Sequence, residues 1–327
     1  MSKLSKSPLR VARAAWAVAT QALPRYAHRF SPQKFTQPQL FACLVLKTFF
    51  KTDYRGLAAQ LADHSDLRAA LGLAVVPHFT TPQKASRRLL RLPVARRRFR
   101  TPVRRFLKRR RRVKRAALDS TGLDLGHASR YYVRRRNGAQ KRWQTVAYSR
   151  YAKVEAAFDC TSHLLLAALV GRGPRVDTDR FVPLLDATLA NVRLTVALAD
   201  AGYDSEPNHC HAREARGVRS FIPATAGRPT TQPPTGRYRR PMKQRLTKAY
   251  GHYGQRWQAE TGFSMFKRRL GAAVNGRSYW SQCRDLLVMA ITYNVMLLYA
   301  AVGFLQSRSD PPNPRGLTCS VEKICSV

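Results

Sequence analysis

Between Ala116 and Pro223 the chain alternates short apolar runs of strand length with turns and helix-length segments. Ala116 to Leu123 is the first run. Val154 to Asp159 and Leu164 to Val170 follow, and the intervening Cys160-Thr161-Ser162-His163 predicts that they form a hairpin. Asp177-Thr178-Asp179 predicts the cap of a helix carrying Phe181, Leu184, Leu185 and Leu189. Leu194 to Ala199 reads as a fourth strand, Glu206 to Gly217 as a polar helix, and Ser220 to Pro223 as a fifth strand. The order β-ββ-α-β-α-β predicts an α/β fold, a mixed five-stranded sheet flanked by helices, because strands alternating with helices need crossovers that cover the sheet.

Helical segments flank this unit. Thr36 or Gln37 ahead of Pro38 opens an apolar helix through Phe50, and Leu57/Leu61 and Leu67/Leu71 repeat at helical spacing. Gly72 closes the helix that follows the Asp63-His64-Ser65-Asp66 turn, and Thr81-Pro82 starts another that runs into Arg87 to Arg91. These signals predict a basic arm with helical tendency over 1–35 and an all-helical domain over 36–95, a DNA-binding module in the preferred reading and a structural helical cap in the other. From Arg96 to Arg115 thirteen of twenty residues are basic, which predicts a phosphate-binding linker over 96–114, since so dense a run needs counter-charge to be ordered. The sheet domain then spans 115–304. Gly227, Pro229, Pro233-Pro234, Gly236 and Pro241 mark 224–250 as a loop or insertion, helices resume near Gly254 and at Tyr279, and the tail over 305–327 is expected to be disordered.

The last helix has two readings. Leu286 to Leu305 is twenty residues without a charge, long enough to span a bilayer. Thr292 and Asn294 lie at its middle, Arg284 and Asp285 adjoin it, and the chain has no second such stretch. A helix buried on the sheet is therefore the expected form, with Asn294 bonded to neighbouring backbone and no membrane partner.

Charge indicates the partner. Lys and Arg number 59 against 18 Asp and Glu, a formal net charge of +41, and 45 of the 59 are Arg. Such an excess repels itself unless a polyanion neutralises it, and Arg suits bidentate contact with phosphates and base edges. Nucleic acid is the expected partner, an anionic membrane surface the second. At 44% hydrophobic residues the chain can build a core, which excludes wholesale disorder. The six cysteines are scattered without a CxxC pair, so neither a disulfide framework nor a structural zinc site is indicated, and His209-Cys210-His211 has no second cluster to complete a metal site.

So few carboxylates permit elimination. An enzyme that hydrolyses or transfers DNA strands needs several of them together, because Mg²⁺ demands hard oxygen ligands. Asp119 lies within the first strand, where a lone carboxylate is costly to bury. Asp200 ends the fourth strand at a Gly-containing turn, where ligands collect in open α/β sheets. If strands one and four are neighbours, so are these two acids; Asp204, four residues on, is the rival to Asp200. Glu260, the only glutamate between Glu214 and Glu322, would supply the third. On a helical wheel Tyr253, Arg256, Glu260 and Lys267 fall within an arc of about 60°, beside an apolar stripe of Ala259, Phe263, Phe266 and Leu270. A carboxylate flanked by two cations suits a helix that ligates metal and grips a phosphate backbone. Asp159 and Asp177 are assigned to turn and cap.

Tyr253-x2-Arg256-x3-Glu260-x6-Lys267 resembles the Y-(2)-R-(3)-E-(6)-K signature of bacterial insertion-sequence DDE transposases, in the families numbered four and five. Leu118-Asp119-Ser120-Thr121 resembles their first catalytic block and Ala199-Asp200-Ala201-Gly202-Tyr203-Asp204-Ser205 their second, while Asp53 to Leu73 with Pro77 resembles their N-terminal domain. The resemblance implies an RNase H-like fold in which Asp119, Asp200 and Glu260 are catalytic and hold a pair of Mg²⁺ ions, with Mn²⁺ able to substitute. It implies that Arg256 and Lys267 contact DNA near the cleaved end, with Tyr253 in the same cluster. The implied activity is binding of terminal inverted repeats, cleavage of 3′ ends and their joining to target DNA. The implied partners are double-stranded DNA and further copies of the chain, as a homodimer or larger multimer, in the cytoplasm at the nucleoid. A catalytically silent DNA-binding derivative and another RNase H-like nuclease are the alternatives. Only 60 residues separate Asp200 from Glu260, too few for the long β-rich insertion of the best-characterised relatives, so a hairpin route for second-strand cleavage is not implied.

Overall fold

The computed structural model describes residues 4–91, 101–105, 107, 112–126, 131, 151–224, 234–248 and 253–306. Its centre is strand β1 (Arg112–Leu125), antiparallel to β2 (Tyr151–Asp159), which is antiparallel to β3 (Leu165–Gly173). On its other side β1 runs parallel to β4 (Arg193–Ala199), and β4 parallel to β5 (Arg219–Phe221). The order is β3-β2-β1-β4-β5, and a sixth strand, β6 (Ala273–Val274), pairs with the end of β1. This is the mixed sheet that the order of apolar runs predicts, with β6 as a sixth strand beyond the expected five, and it has the RNase H-like form that the resemblance implies. Every residue of β2 after Tyr151 is buried, as a strand covered on both faces requires.

Strand β1 begins earlier than its apolar run. Arg112 and Val113 already pair with Arg193 and Leu194 of β4, so the last residues of the basic run belong to the sheet. Val113 is buried between exposed Arg112 and Lys114, and this alternation lets one face of a basic segment pack. Of the expected linker, 96–100, 106 and 108–111 lie outside the described residues.

Helices cover both faces. Helix α6 (Phe181–Leu189) packs on β2, β3 and β4, while α9 (Trp257–Leu270) packs on β1 and β2 and α10 (Tyr279–Gln306) on β2 and β3. The apolar run of α10 is core over its described side chains. Every residue from Leu286 to Leu298 is buried, and among the described residues no helix is long and apolar enough to cross a membrane. Asn294 explains how an amide survives there: its Oδ1 accepts from Leu165 N at 3.1 Å and its Nδ2 donates to Leu165 O at 2.7 Å. Both polar edges of a buried β3 residue are thereby satisfied.

Toward the N-terminus lie α1 (Pro8–Ala22), α2 (Gln37–Phe50), α3 (Tyr54–Asp63), α4 (Ser65–Ala70) and α5 (Thr80–Leu89). Thr36 caps α2 with a reciprocal bond to Gln39, and Gly72, with φ +59, turns the chain after α4. Residues 8–22, read as part of a basic arm, form a packed helix: Val11, Ala12, Ala15, Val18 and Ala19 are buried, against α2 and α10. The small side chains let the helices approach closely, and one apolar core runs from these helices into the sheet.

Two further segments differ from expectation. The polar helix after β4 is split into α7 (Glu206–Cys210) and a π-helical turn, His211–Ala215. Within 224–250, α8 (Arg239–Lys248) forms without apolar periodicity because remote carboxylates hold its start. Glu206 accepts from the backbone of Tyr238 and Arg239 at 2.9 and 3.0 Å, and Asp204 grips the Arg239 guanidinium. The tail expected to be disordered lies, after Gln306, outside the described residues.

Candidate active site

Leu118 of β1 is in register with Ala199 of β4, so the next residues along, Asp119 and Asp200, stand abreast at the C-terminal end of β4. Asp119 is half-buried and its Oδ1 accepts from Ser120 N at 2.8 Å. Asp200 is exposed, and its Oδ1 accepts from Ala201 N at 2.6 Å where a short 3₁₀ turn begins. Asp119 pairs across β2 with Ala156, and Ala117 with Phe158, so Asp119 faces the same side of the sheet as Phe158.

Helix α9 is seated on that side. Phe263 meets Phe158 edge-on with ring centroids 5.0 Å apart, and Ala259, Phe263, Phe266 and Leu270 are all buried. Gly262 permits the approach, since a Cβ there would lie 2.7 Å from the Phe158 ring. Gly262→Ala should therefore cost stability, about 1–3 kcal/mol by overpacking, although Ala is the better helix former; a thermal melt showing stabilisation would contradict this packing.

The start of α9 is fixed by the β2–β3 turn. His163, left-handed at φ 56, bonds through Nε2 to the Gln258 side chain, and Cys160 Sγ lies 3.7 Å from Gln255 O. Tyr293 of α10 donates to His163 O at 3.0 Å, bracing the turn from behind.

These supports bring Arg256 and Glu260 to the sheet edge. Arg256 Nη2 lies 2.6 Å from Glu260 Oε1, with Arg256 largely buried and Glu260 exposed. Asp119 feels all of them. Burial pushes its carboxyl up to about 6, the Asp200 and Glu260 charges push the same way, and the Ser120 amide and Arg256 pull it down. The Tyr253 hydroxyl is raised by burial first and by Asp200 and Asp119, against the pull of Arg256. Five predicted residues, Asp119, Asp200, Tyr253, Arg256 and Glu260, thus meet electrostatically. Lys267 stands apart, half-buried and two helical turns from Glu260, about 10 Å along the axis.

Among the described residues no three His, Cys, Asp or Glu side chains are close enough together to hold a metal, because Glu260 is turned onto Arg256 and Asp200 onto its own turn. The donor set nonetheless suits a hard divalent cation: it offers three carboxylates from three elements, and Asp119, whose ionisation burial and then the Asp200 and Glu260 charges oppose, would be relieved by a cation beside it.

That resistance has a measurable consequence. The Asp119 pKa is raised, so its penalty on folding is complete above pH 6, fades as pH falls through 6, and is absent below the ordinary carboxylate range near 4. In chelator, Asp119→Asn should stabilise the chain by about 3 kcal/mol at pH 8 and by nothing at pH 3.5, read from urea unfolding. A gain independent of pH would refute the account.

Asp204 is differently placed. Its carboxylate is inaccessible to solvent and bound bidentately by Arg239 at 3.0 and 2.7 Å. Asp159 serves its turn, accepting from Thr161 N and Ser162 N. Asp177 holds the N-cap position of a short 3₁₀ turn ahead of α6, but its side chain makes no cap bond; it is bonded to buried Lys153 and to Ser120 Oγ, at 2.5 and 3.2 Å, because a lysine inside the sheet requires a counter-charge. Arg180 and Glu155 form a second pair at 3.2 Å beside it. Sequence reasoning missed this network under Asp119; the signal was Lys153 and Glu155 at alternate positions of an otherwise apolar strand. His209 and His211 point apart, to Ser220 Oγ at 2.7 Å and Asp186 at 2.9 Å, and burial pushes His209 down to about 4.

No match was found among curated proteins. The transposase DDE domain family matches residues 114–295, from the third residue of β1 to the middle of α10, and so includes both aspartates and the whole of α9. With the RNase H-like sheet and more than half its length matched, the chain belongs to the DDE-domain transposases.

Proposed function

We propose that this transposase acts on the ends of an insertion sequence, binding terminal inverted repeats, cutting the 3′ ends and joining them to target DNA. The observation that carries the reading is that Asp119 and Asp200 stand abreast where β1 and β4 run side by side, with the Arg256–Glu260 pair of α9 close enough to act on Asp119. In cleavage, the oxygen of water bonds to phosphorus and the bond from phosphorus to the 3′ oxygen breaks; one water proton ends on that oxygen, giving the 3′-OH, and the other is released from the new 5′ phosphate. In joining, the freed 3′-OH attacks a target phosphodiester and displaces its 3′ oxygen in turn. Asp119, Asp200 and Glu260 would hold two divalent cations, Mg²⁺ or Mn²⁺, which when bound activate the attacking hydroxyl and neutralise charge on the phosphate.

The chain's own groups do the positioning. Asp119 is fixed by the Ser120 amide and the strand beneath it. Arg256, bonded to Glu260 in the free protein, is placed to exchange that carboxylate for a backbone phosphate. Tyr253 adds a hydroxyl donor on the same side, and Lys267 a cation further along the bound strand. The helices ahead of β1, with the basic run that follows them, would select and hold duplex DNA. Joining two ends to one target calls for a dimer or larger assembly on DNA, at the nucleoid in the cytoplasm. Asp200 is preferred to Asp204 as a ligand because the latter is already saturated by Arg239.

The test is incubation of the full chain with labelled duplexes carrying the DNA that flanks its reading frame, in Mg²⁺ and in chelator. Mg²⁺-dependent 3′-end cleavage followed by joining is expected. Binding without any cleavage in Mg²⁺ or Mn²⁺ would refute the enzymatic reading.

A further inference from the structure

At the opposite end of β1 from Arg112 lies an exposed aromatic corner that the chemistry above does not use. Tyr279 and Trp280 open α10; Trp280 is 59% exposed and Tyr279 36%. Their rings meet edge to face with centroids 5.1 Å apart. The Arg172 guanidinium lies 5.4 Å from the Tyr279 ring centre, and Arg172 Nε donates at 2.7 Å to Gln282 Oε1. Gln282 is buried and its Nε2 donates to Gly276 O at 2.9 Å, tying β3, the loop after β6 and the first turn of α10 together. Exposed Trp280 thus stands on a braced base, a costly use of a large apolar ring unless something covers it.

Charge says what covers it. Arg277, two residues before Tyr279, is exposed, and Asp285, the first acid of α10, is turned onto Gly276 N. Ser278 Oγ accepts from Ser281 N, leaving other amides of the α10 N-terminus available to an anion, with no acid in that first turn. Aromatic faces amid cations suit a nucleic-acid strand whose bases are unpaired, because paired bases hide their faces in the stack.

The corner also lies within reach of the candidate active site. Arg172 pairs with Ala152, which pairs with Leu123, four residues beyond Asp119 on the same face of β1. The offset is about 13 Å along the strand and about 10 Å across two strand spacings, a distance that roughly five nucleotides cover even at the 3.4 Å rise of a duplex, and that an unpaired, more extended strand covers with fewer.

We propose that Trp280 and Tyr279, with Arg172 and Arg277 beside them, stack unpaired bases of a DNA strand next to the cleaved or joined position. The proposal rests on the DNA-joining function above, and it adds a place where an opened strand is held. The experiment measures, by fluorescence anisotropy on the full chain, affinity for a blunt duplex and for the same duplex bearing an unpaired 3′ extension of about five nucleotides, the span estimated above. Trp280→Ala should weaken binding to the extended duplex by about fivefold or more, the loss of one base–aromatic stack, and leave the blunt duplex nearly unchanged; Trp280→Phe should retain most of the preference. Equal weakening of both duplexes, or of neither, would overturn the stacking surface while leaving the transposase function standing. Failure of the wild type to bind either duplex would overturn both.

Discussion

Replacing Asp119, Asp200 or Glu260 by Ala should reduce both 3′-end cleavage and strand transfer by about a thousandfold or more, because one site serves both displacements and loss of any ligand disorders it. DNA binding should be unchanged or slightly tighter, since a carboxylate that repels phosphate is gone. The three positions differ in what else they do. Asp119 carries a folding penalty that its removal relieves, so Asp119→Ala should be inactive yet no less stable at pH 8. Glu260→Ala frees Arg256 from its ion pair, so that variant should gain affinity more than the others. Arg256→Ala should lose binding and turnover together, because it removes a phosphate partner and leaves Glu260 uncompensated. The assay pairs cleavage and joining of labelled ends in Mg²⁺ with a gel shift. A fully active Glu260→Ala would end the three-carboxylate reading. An active Asp200→Ala beside an inactive but folded Asp204→Ala would transfer the role to Asp204, despite its bidentate bond to Arg239.

The sheet was legible because its strands are short apolar runs bounded by charge and turn residues, and because crossovers leave few ways to connect them. Helix α9 was legible for a different reason: its apolar stripe and its charged arc have separate periodic signals, and both survive in the fold. Helix α8 was not, because what holds it is a set of bonds from Asp204 and Glu206, more than thirty residues away. Helix α1 was legible only as a helical tendency within a basic arm, because its arginines mask a stripe of alanines and valines small enough to pack in the core. In the candidate site, Asp119, Asp200 and Glu260 could be found by scarcity of carboxylates, but the support behind them could not. The His163–Gln258 contact joins residues 95 positions apart, and the Lys153–Asp177 pair appears only when β2 is laid beside the loop after β3.

That pair yields the second large effect. Lys153 is 5% exposed, and its ammonium donates to Asp177 Oδ1 at 2.5 Å and to Arg175 O at 2.8 Å. Asp177 in turn accepts from Ser120 Oγ at 3.2 Å, one residue from Asp119. Removing the cation leaves the Arg175 carbonyl without this donor and the Asp177 charge uncompensated, with only the Ser120 hydroxyl bonded to it, so Lys153→Met should destabilise the chain by about 3 kcal/mol. Asp177→Leu alone should cost a comparable amount by stranding the ammonium. The double variant replaces both charges with apolar groups and should recover much of the loss, because desolvating two ions offsets most of what their attraction contributes. Urea unfolding of the four proteins reads this cycle directly. Additive losses would show that the two residues act separately. Near-neutral single variants would show that water reaches the pair. Catalysis gives an independent check on the link to Asp119: in the stability-restored double variant Ser120 has lost its acceptor, so cleavage should fall while DNA affinity holds. Unchanged cleavage in that variant would make the network a matter of folding alone.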